Sequence, residues 1–134
     1  MFQPDDQERS AVPDRFNLQG RVFDMVSSTS SRVDPVAPTR FTYYESGGVL
    51  WGHYSGDTVD LGRFCGARRD DVVDIAFVHR NRDGETIRGS ARSRIDLSAD
   101  GLLQLTEDFT GPDGAAHVSV CREVAVAQET SASR

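Results

Sequence analysis

Residues 41–54 have the sequence FTYYESGGVLWGHY, in which two alternating segments flank a Gly-Gly pair. Alternation with a period of two is typical of β-strands, and a glycine pair between strands indicates a two-residue hairpin turn. Further turn signals occur at Gly56-Asp57, Asp83-Gly84, Asp100-Gly101 and residues 111–114 (GPDG). The segments between them predict strands near 20–28, 39–46, 49–55, 58–67, 72–80, 85–95, 102–110 and 115–124. The sequence therefore predicts an all-β protein, a single small antiparallel up-and-down barrel of about eight strands.

The length and the two ends of the chain predict one domain. A chain of 134 residues is large enough for one hydrophobic core but not for two. Residues 1–15 and 125–134 are mostly polar, and we expect both to be flexible tails. The barrel domain is predicted to span residues 16–124.

Composition excludes several classes of function. The net charge of −6 argues against nucleic-acid binding, which usually needs a basic surface. All 15 basic residues are Arg, and the lack of Lys excludes Schiff-base chemistry and a P-loop lysine. We expect no cofactor and no metal ion, because the three histidines are widely separated and no cysteine pair with ligand spacing occurs.

The same composition predicts where the protein resides. Two cysteines are too few for a disulfide scaffold, and no signal-peptide pattern or apolar run of membrane-spanning length is visible. We therefore expect a soluble, cytoplasmic protein with no membrane or nucleic-acid partner. A homodimer is possible, with Trp51 on its contact surface.

Turn length decides which side chains share a face, because an even-length turn joins positions of opposite parity. If all the turns are even in length, one set of alternating side chains faces the barrel interior, whereas His53 and His117 face outward. A bulge at Gly89 would reverse the strand at 85–95 and place Ile87, Ala91 and Ile95 inside. The predicted inner face contains Phe41, Tyr43, Glu45, Leu50, Gly52, Tyr54, Val59, Leu61, Arg63, Cys65, Ile75, Phe77, His79, Ser90, Arg92, Arg94, Leu103, Leu105, Glu107, Phe109, Ala116, Val118, Val120 and Arg122.

This inner face has the composition of a small-molecule site, which is typically apolar with a few converging polar groups. Three residues are candidates for acid–base or hydrogen-bonding roles in catalysis: His79, Glu107 and Tyr54. The residues predicted to contact a ligand are Tyr43, Glu45, Phe77, Arg92, Arg94, Leu105 and Phe109.

Structural roles are an alternative for each of these residues. Arg92 would face Glu107 on the neighbouring strand, and a buried guanidinium needs a partner of opposite charge. That partner is either Glu107 or an acidic or enolic group of a ligand. Buried strand histidines and core tyrosines often serve only packing.

The core from Gly20 to Val124 resembles short bacterial, often actinobacterial, proteins that commonly carry the label N-acetylglutamate synthase. The resemblance is carried by residues 20–23 (GRVF), 41–44 (FTYY), 51–56 (WGHYSG), 77–79 (FVH) and 100–107 (DGLLQLTE). It implies a lipocalin-like or fatty-acid-binding-like barrel of the calycin type, with Tyr54, His79 and Glu107 at recurring polar positions. Glu45 stands where the resemblance implies an amide. The helix-flanked Gly-rich loop of the usual acetyl-coenzyme A transferases is missing from this sequence.

Two functions fit these observations. The first is a binding protein that holds a mainly apolar small molecule with an acidic or enolic group. The second is a cofactor-independent cyclase, isomerase or pericyclase of secondary metabolism, which acts by positioning its substrate and by acid–base assistance.

Overall fold

The computed structural model describes residues 14–125, which form one closed barrel of eight antiparallel strands. Each strand pairs with its neighbours in sequence, and the last pairs with the first. The predicted all-β up-and-down barrel is thus confirmed. The described residues include no helix that could span a membrane. Apart from Asp14, Arg15 and Ala125, the two predicted tails lie outside the described residues. The strands are β1 (Val22–Ser28), β2 (Arg40–Ser46), β3 (Val49–Gly56), β4 (Val59–Arg69), β5 (Val72–Asn81), β6 (Thr86–Leu97), β7 (Leu103–Thr110) and β8 (Ala116–Val124).

The two ends of the barrel differ. At the end where β2 turns into β3, residues 14–21 pack against the strands, and Leu18 is fully buried in the core. The N–H of Gly20 donates to the carbonyl of Tyr43, and the N–H of Tyr43 donates to the carbonyl of Arg21, both at 2.9 Å. We call this the closed end. The opposite end, which carries residues 29–39 and 111–115, is the open end.

The Gly47-Gly48 turn has the predicted geometry. Ser46 pairs with Val49, so that only the two glycines lie between the strands. Both have positive φ, 57° and 82°, as a type I′ turn requires. The inward positions predicted on β2 and β3, which include Tyr43 and Tyr54, are therefore confirmed as buried.

The three Asp-Gly loops have an odd length, which corrects the predicted register. Each leaves five residues between paired strand ends, 81–85, 98–102 and 111–115. In each loop the first N–H donates to the fifth carbonyl, and the glycine, which has positive φ, donates to the first carbonyl. The aspartate side chain accepts the N–H two residues on. This is a three-residue hairpin loop with a bulge at glycine, and not the even-length turn that we predicted.

These odd loops move two strands to the opposite face. The prediction that Ser90, Arg92 and Arg94 face inward is wrong, and Ile87, Ala91 and Ile95 face inward instead, through loop length and without a bulge at Gly89. On β5 the predicted inward face, Ile75, Phe77 and His79, is nevertheless confirmed, because the two errors in loop length on either side of β6 cancel. On β8 the predicted inward residues Ala116, Val118, Val120 and Arg122 pair with the outward row of β7, whereas His117, Ser119 and Cys121 pair with its inward row.

A bulge in β4 explains one further difference from the predicted inner face. The register of β4 shifts between Val59 and Leu61. Val59 is buried as predicted, but Leu61, Arg63 and Cys65 face outward. Gly62 and Phe64 take the inward positions.

Inward glycines provide space for aromatic rings from the neighbouring strand. Gly62 pairs with Tyr54, and a Cβ at Gly62 would lie 2.4 Å from the Tyr54 ring. Gly52 likewise accommodates Phe64 on its partner strand. Phe77 packs over Gly89, where a Cβ would lie 2.8 Å from the ring. These three glycines are therefore the positions over which the aromatic wall of the barrel packs.

Candidate ligand-binding site

The open half of the barrel interior is apolar and only half-buried. Phe77 on β5, Ile87 on β6 and Phe109 on β7 point inward but stay partly accessible to solvent. The inward residues of the closed half are different, since Leu50, Val73 and Ile95 are at most 1% exposed. Solvent therefore reaches the interior from the open end.

Tyr54 and His79 form a hydrogen-bonded pair in this half. The Tyr54 hydroxyl lies 2.8 Å from Nδ1 of His79, and the two rings meet edge to face. Burial lowers the pKa of His79, against an opposing effect of the Asn81 side chain, so the imidazole is neutral near pH 7. Burial, with the charge of Glu107, raises the pKa of Tyr54. The tyrosine thus keeps its proton and can donate it to Nδ1.

Glu107 lies at the centre of β7 between two inward serines. It pairs across strands with Ser93 on β6 and Ser119 on β8. Among residues 14–125, no donor makes a hydrogen bond or ion pair with its carboxyl group. Burial, and to a lesser extent the charge of Asp108, raises the pKa of Glu107 to about 7.

Ser93 adds a second polar group without a partner. Its hydroxyl is buried and has no hydrogen-bond partner in the described residues. The Ser119 hydroxyl, by contrast, donates to Ser28 at 3.0 Å. Among the described residues, the Ser93 hydroxyl and the half-buried Glu107 carboxyl are thus adjacent polar groups without a protein partner, which is unusual for a protein interior.

Glu45 lies at the closed end and has its own partners. Its carboxylate accepts from Arg68 Nε at 2.8 and 3.0 Å and from the Leu18 N–H at 2.9 Å. Arg68 also pairs with Asp14. The Glu45 and Arg68 side chains are only 2% and 6% exposed. Glu45 therefore secures residues 14–21 to the barrel and does not face the open half.

The two arginines predicted as ligand contacts lie outside the barrel. Arg92 donates to Asp74 at 2.8 Å on the outer surface, where the two side chains are 71% and 55% exposed. Arg94 is exposed and pairs with the outward row of β7. The cause is the odd length of the loops that flank β6.

The structure brings most of the other predicted residues into the interior. Leu105 is fully buried towards the closed end. Sequence reasoning missed the inward polar residues Ser93, Ser119 and His117, and the repeated x-x-Asp-Gly-x pattern of the loops could have revealed their face. The predicted residues that surround the open half and its floor are Tyr43, Tyr54, Phe77, His79, Glu107 and Phe109.

His117 connects two loops at the open end, which corrects its predicted outward position. Its Nδ1 lies 3.1 Å from the Thr29 hydroxyl, and its Nε2 lies 3.2 Å from the carboxylate of Asp113. The Thr29 hydroxyl also accepts the N–H of Val118. These contacts hold the start of the loop at residues 29–39 against the loop at 111–115.

A depression of about 640 Å³ lies on the outer surface of β4 to β8. It is lined mostly by outward residues, including Cys65, Ser90 and Arg92. Inward residues, among them Ile75, Ala91 and Phe109, also line it, whereas Glu107 and Ser93 do not. Within the described part of the chain, no three His, Cys, Asp or Glu side chains lie together so that they could hold a metal ion.

Comparison with known proteins identifies a family. The family model described as avidin-like protein matches residues 16–124. No curated protein matches the chain, and no solved structure does. The family match agrees with a calycin-like barrel and with small-molecule binding in general, whereas nothing in the comparisons supports the label N-acetylglutamate synthase.

Proposed function

Because the chain belongs to the avidin-like family, we propose that its barrel binds a small, mainly apolar molecule in the open half of the interior. The observation that carries this proposal is the pair of unpartnered polar groups, Glu107 and Ser93, inside a closed barrel. Leaving the buried Ser93 hydroxyl and the half-buried Glu107 carboxyl without a partner costs free energy that a bound molecule can offset.

The walls of the open half suit an apolar ligand. Phe77, Ile87 and Phe109 provide partly accessible apolar surface that a ligand can cover. The sequence favoured an acidic ligand, but that expectation depended on inward arginines. In the described residues no arginine faces the open half, so an acidic group would meet Glu107 without a cation to balance it.

Backbone amide chemical shifts can test this proposal. The protein would be titrated with a small apolar probe, benzyl alcohol, and its amide shifts followed by NMR. We expect the largest changes at inward residues of the open half, such as Phe77, Ile87 and Phe109. Their outward neighbours Val78 and Arg88 should change less.

A matched pair of variants distinguishes the interior from the outer depression. Ile87 is inward and does not line the depression, whereas Ser90 faces outward and lines it. Ile87→Trp should occupy part of the open half and weaken binding, whereas Ser90→Trp should leave binding unchanged. Binding that is lost only in Ser90→Trp, or no interior shift with any apolar probe, would refute the proposal.

A second candidate function is cofactor-independent cyclisation or isomerisation. Two features of the same interior favour it. Tyr54 and His79 form a hydrogen bond of 2.8 Å, and burial raises the pKa of Glu107 to about 7. A carboxyl group that titrates near the working pH is suited to general acid–base catalysis.

A simple ketone can test this second candidate. Conversion of 3-cyclohexenone to the conjugated 2-cyclohexenone removes a proton from the carbon next to the carbonyl and adds a proton to the far carbon of the original double bond. The product can be followed by its ultraviolet absorbance. If Glu107 transfers that proton, Glu107→Gln should slow the reaction by at least about 100-fold. A rate in the wild type equal to that in buffer would argue for binding alone.

A further inference from the structure

The carboxyl group of Glu107 differs from the other inward carboxylates. Glu45 is paired with Arg68, and Glu123 is paired with Arg21 at 2.9 Å and accepts the N–H of Leu103. Glu107 has no such donor in the described chain. Among residues 14–125, Glu107 is thus an inward carboxyl group whose charge no cation balances.

Hydroxyl groups lie around that carboxyl group. Ser93 and Ser119 are its cross-strand neighbours on either side. Burial raises the pKa of Tyr43 and of Tyr54, and the charge of Glu107 adds to both increases. The Ser93 hydroxyl has no partner, and the described residues supply none to the Tyr43 hydroxyl either. The unpaired oxygens are therefore one carboxylate, one serine hydroxyl and one tyrosine hydroxyl.

We propose that the polar group of the ligand is a protonated amine that binds Glu107, with the hydroxyl of Ser93 as a further acceptor. An ammonium group has three N–H donors, and the carboxylate and the hydroxyl can each accept from it. Its positive charge balances the carboxylate inside the barrel, where an unpaired charge is costly.

Other ligand groups fit this cluster less well. A carboxylate would be repelled by Glu107, and an alcohol or amide would leave its charge unbalanced. This inference rests on the proposed binding function, because it names the chemistry of the molecule that the interior would hold.

Three probes with the same carbon skeleton test the inference: benzylamine, benzyl alcohol and benzoate. Each would be titrated above the pKa of Glu107, with the amide shifts of Ser93 and Ser119 as the readout. Benzylamine should bind at least about tenfold more tightly than benzyl alcohol, as expected for a hydrogen bond to a charged group. Benzoate should bind more weakly than both.

Two isosteric variants complete the test. Glu107→Gln removes the charge while keeping the shape, and it should reduce the affinity for benzylamine to that for benzyl alcohol. Glu85→Gln removes an exposed carboxylate outside the barrel and should change nothing. Should Glu107→Gln fail to fold, Ser93→Ala should still lower the affinity for benzylamine more than that for benzyl alcohol.

The outcomes separate this inference from the proposed function. Equal affinities for amine and alcohol, unchanged in Glu107→Gln, would overturn the amine inference and leave apolar binding in place. Interior shifts with none of the three probes would overturn both. Tighter binding of benzylamine that persists in Glu107→Gln would place the amine elsewhere on this acidic protein and would also overturn the inference.

Discussion

Glu107→Gln should change how stability depends on pH. In the wild type, burial raises the pKa of Glu107 from an ordinary value of 4.5 to about 7. Below pH 4.5 the carboxyl is protonated in both the folded and the unfolded chain, so it contributes no pH dependence. Between pH 4.5 and 7 the unfolded chain releases the proton while the folded protein keeps it, and the free energy of unfolding therefore falls as pH rises.

The magnitude follows from the size of that pKa change. A rise from 4.5 to about 7 corresponds to a loss of up to about 3 kcal/mol of stability above pH 7. Because part of Glu107 remains accessible to water, we expect about 1–3 kcal/mol. Glutamine has no proton to lose in this range, so the stability of the variant relative to the wild type should increase with pH.

Urea denaturation at a series of pH values measures this difference directly. Far-ultraviolet circular dichroism can follow unfolding, with exposed Glu85→Gln as the control. Other titrating groups, such as His79, occur in all three proteins, and their contributions cancel in the comparison. Parallel stability curves for the wild type and Glu107→Gln would refute the inference that this carboxyl is buried without a partner.

The remaining predictions concern packing, ion pairs and one histidine. Gly62→Ala should lower the free energy of unfolding by about 1–3 kcal/mol, because its Cβ would lie 2.4 Å from the aromatic ring that packs on it; an unchanged urea midpoint would contradict that packing. Arg68→Met should cost about 3 kcal/mol by leaving Glu45 buried without its cation, whereas Arg92→Ala, at an exposed pair, should leave the midpoint unchanged. His79 should titrate below pH 6.5 in an NMR experiment, because burial lowers its pKa; a midpoint at or above that value would argue against its buried position.

Turn chemistry explains how much of the fold could be predicted. A Gly-Gly pair can adopt the positive φ that a two-residue type I′ turn requires at both positions, and Gly47 and Gly48 do so. The inward faces of β2 and β3 were predicted correctly from that turn length. The Asp-Gly pairs were ambiguous, because the same dipeptide occurs in two-residue turns and in longer loops closed by an aspartate side chain. Each change in loop length of one residue exchanges the two faces of the next strand. The predicted inward positions of Arg92 and Arg94 were wrong for this reason.

The candidate site was predictable to a similar extent. Tyr54, His79 and Glu107 were all expected to face inward, and they do. The hydrogen bond between Tyr54 and His79 joins β3 to β5, so pairing between adjacent strands alone could not predict it. The expected pair between Arg92 and Glu107 does not form, since Arg92 lies on the outer surface beside Asp74.

Local sequence by itself determined that this chain forms eight antiparallel strands in an up-and-down barrel, because alternation and turn residues act over a few neighbouring positions. Tertiary structure alone decided which charges are paired. Arg68 reaches Glu45 because the bulge in β4 turns it inward and because residues 14–21 pack at the closed end. Within residues 14–125 no cation reaches Glu107, because the loops on both sides of β6 turn Arg92 outward. Such pairings depend on loop lengths summed around a closed barrel, and a single residue in one loop changes them.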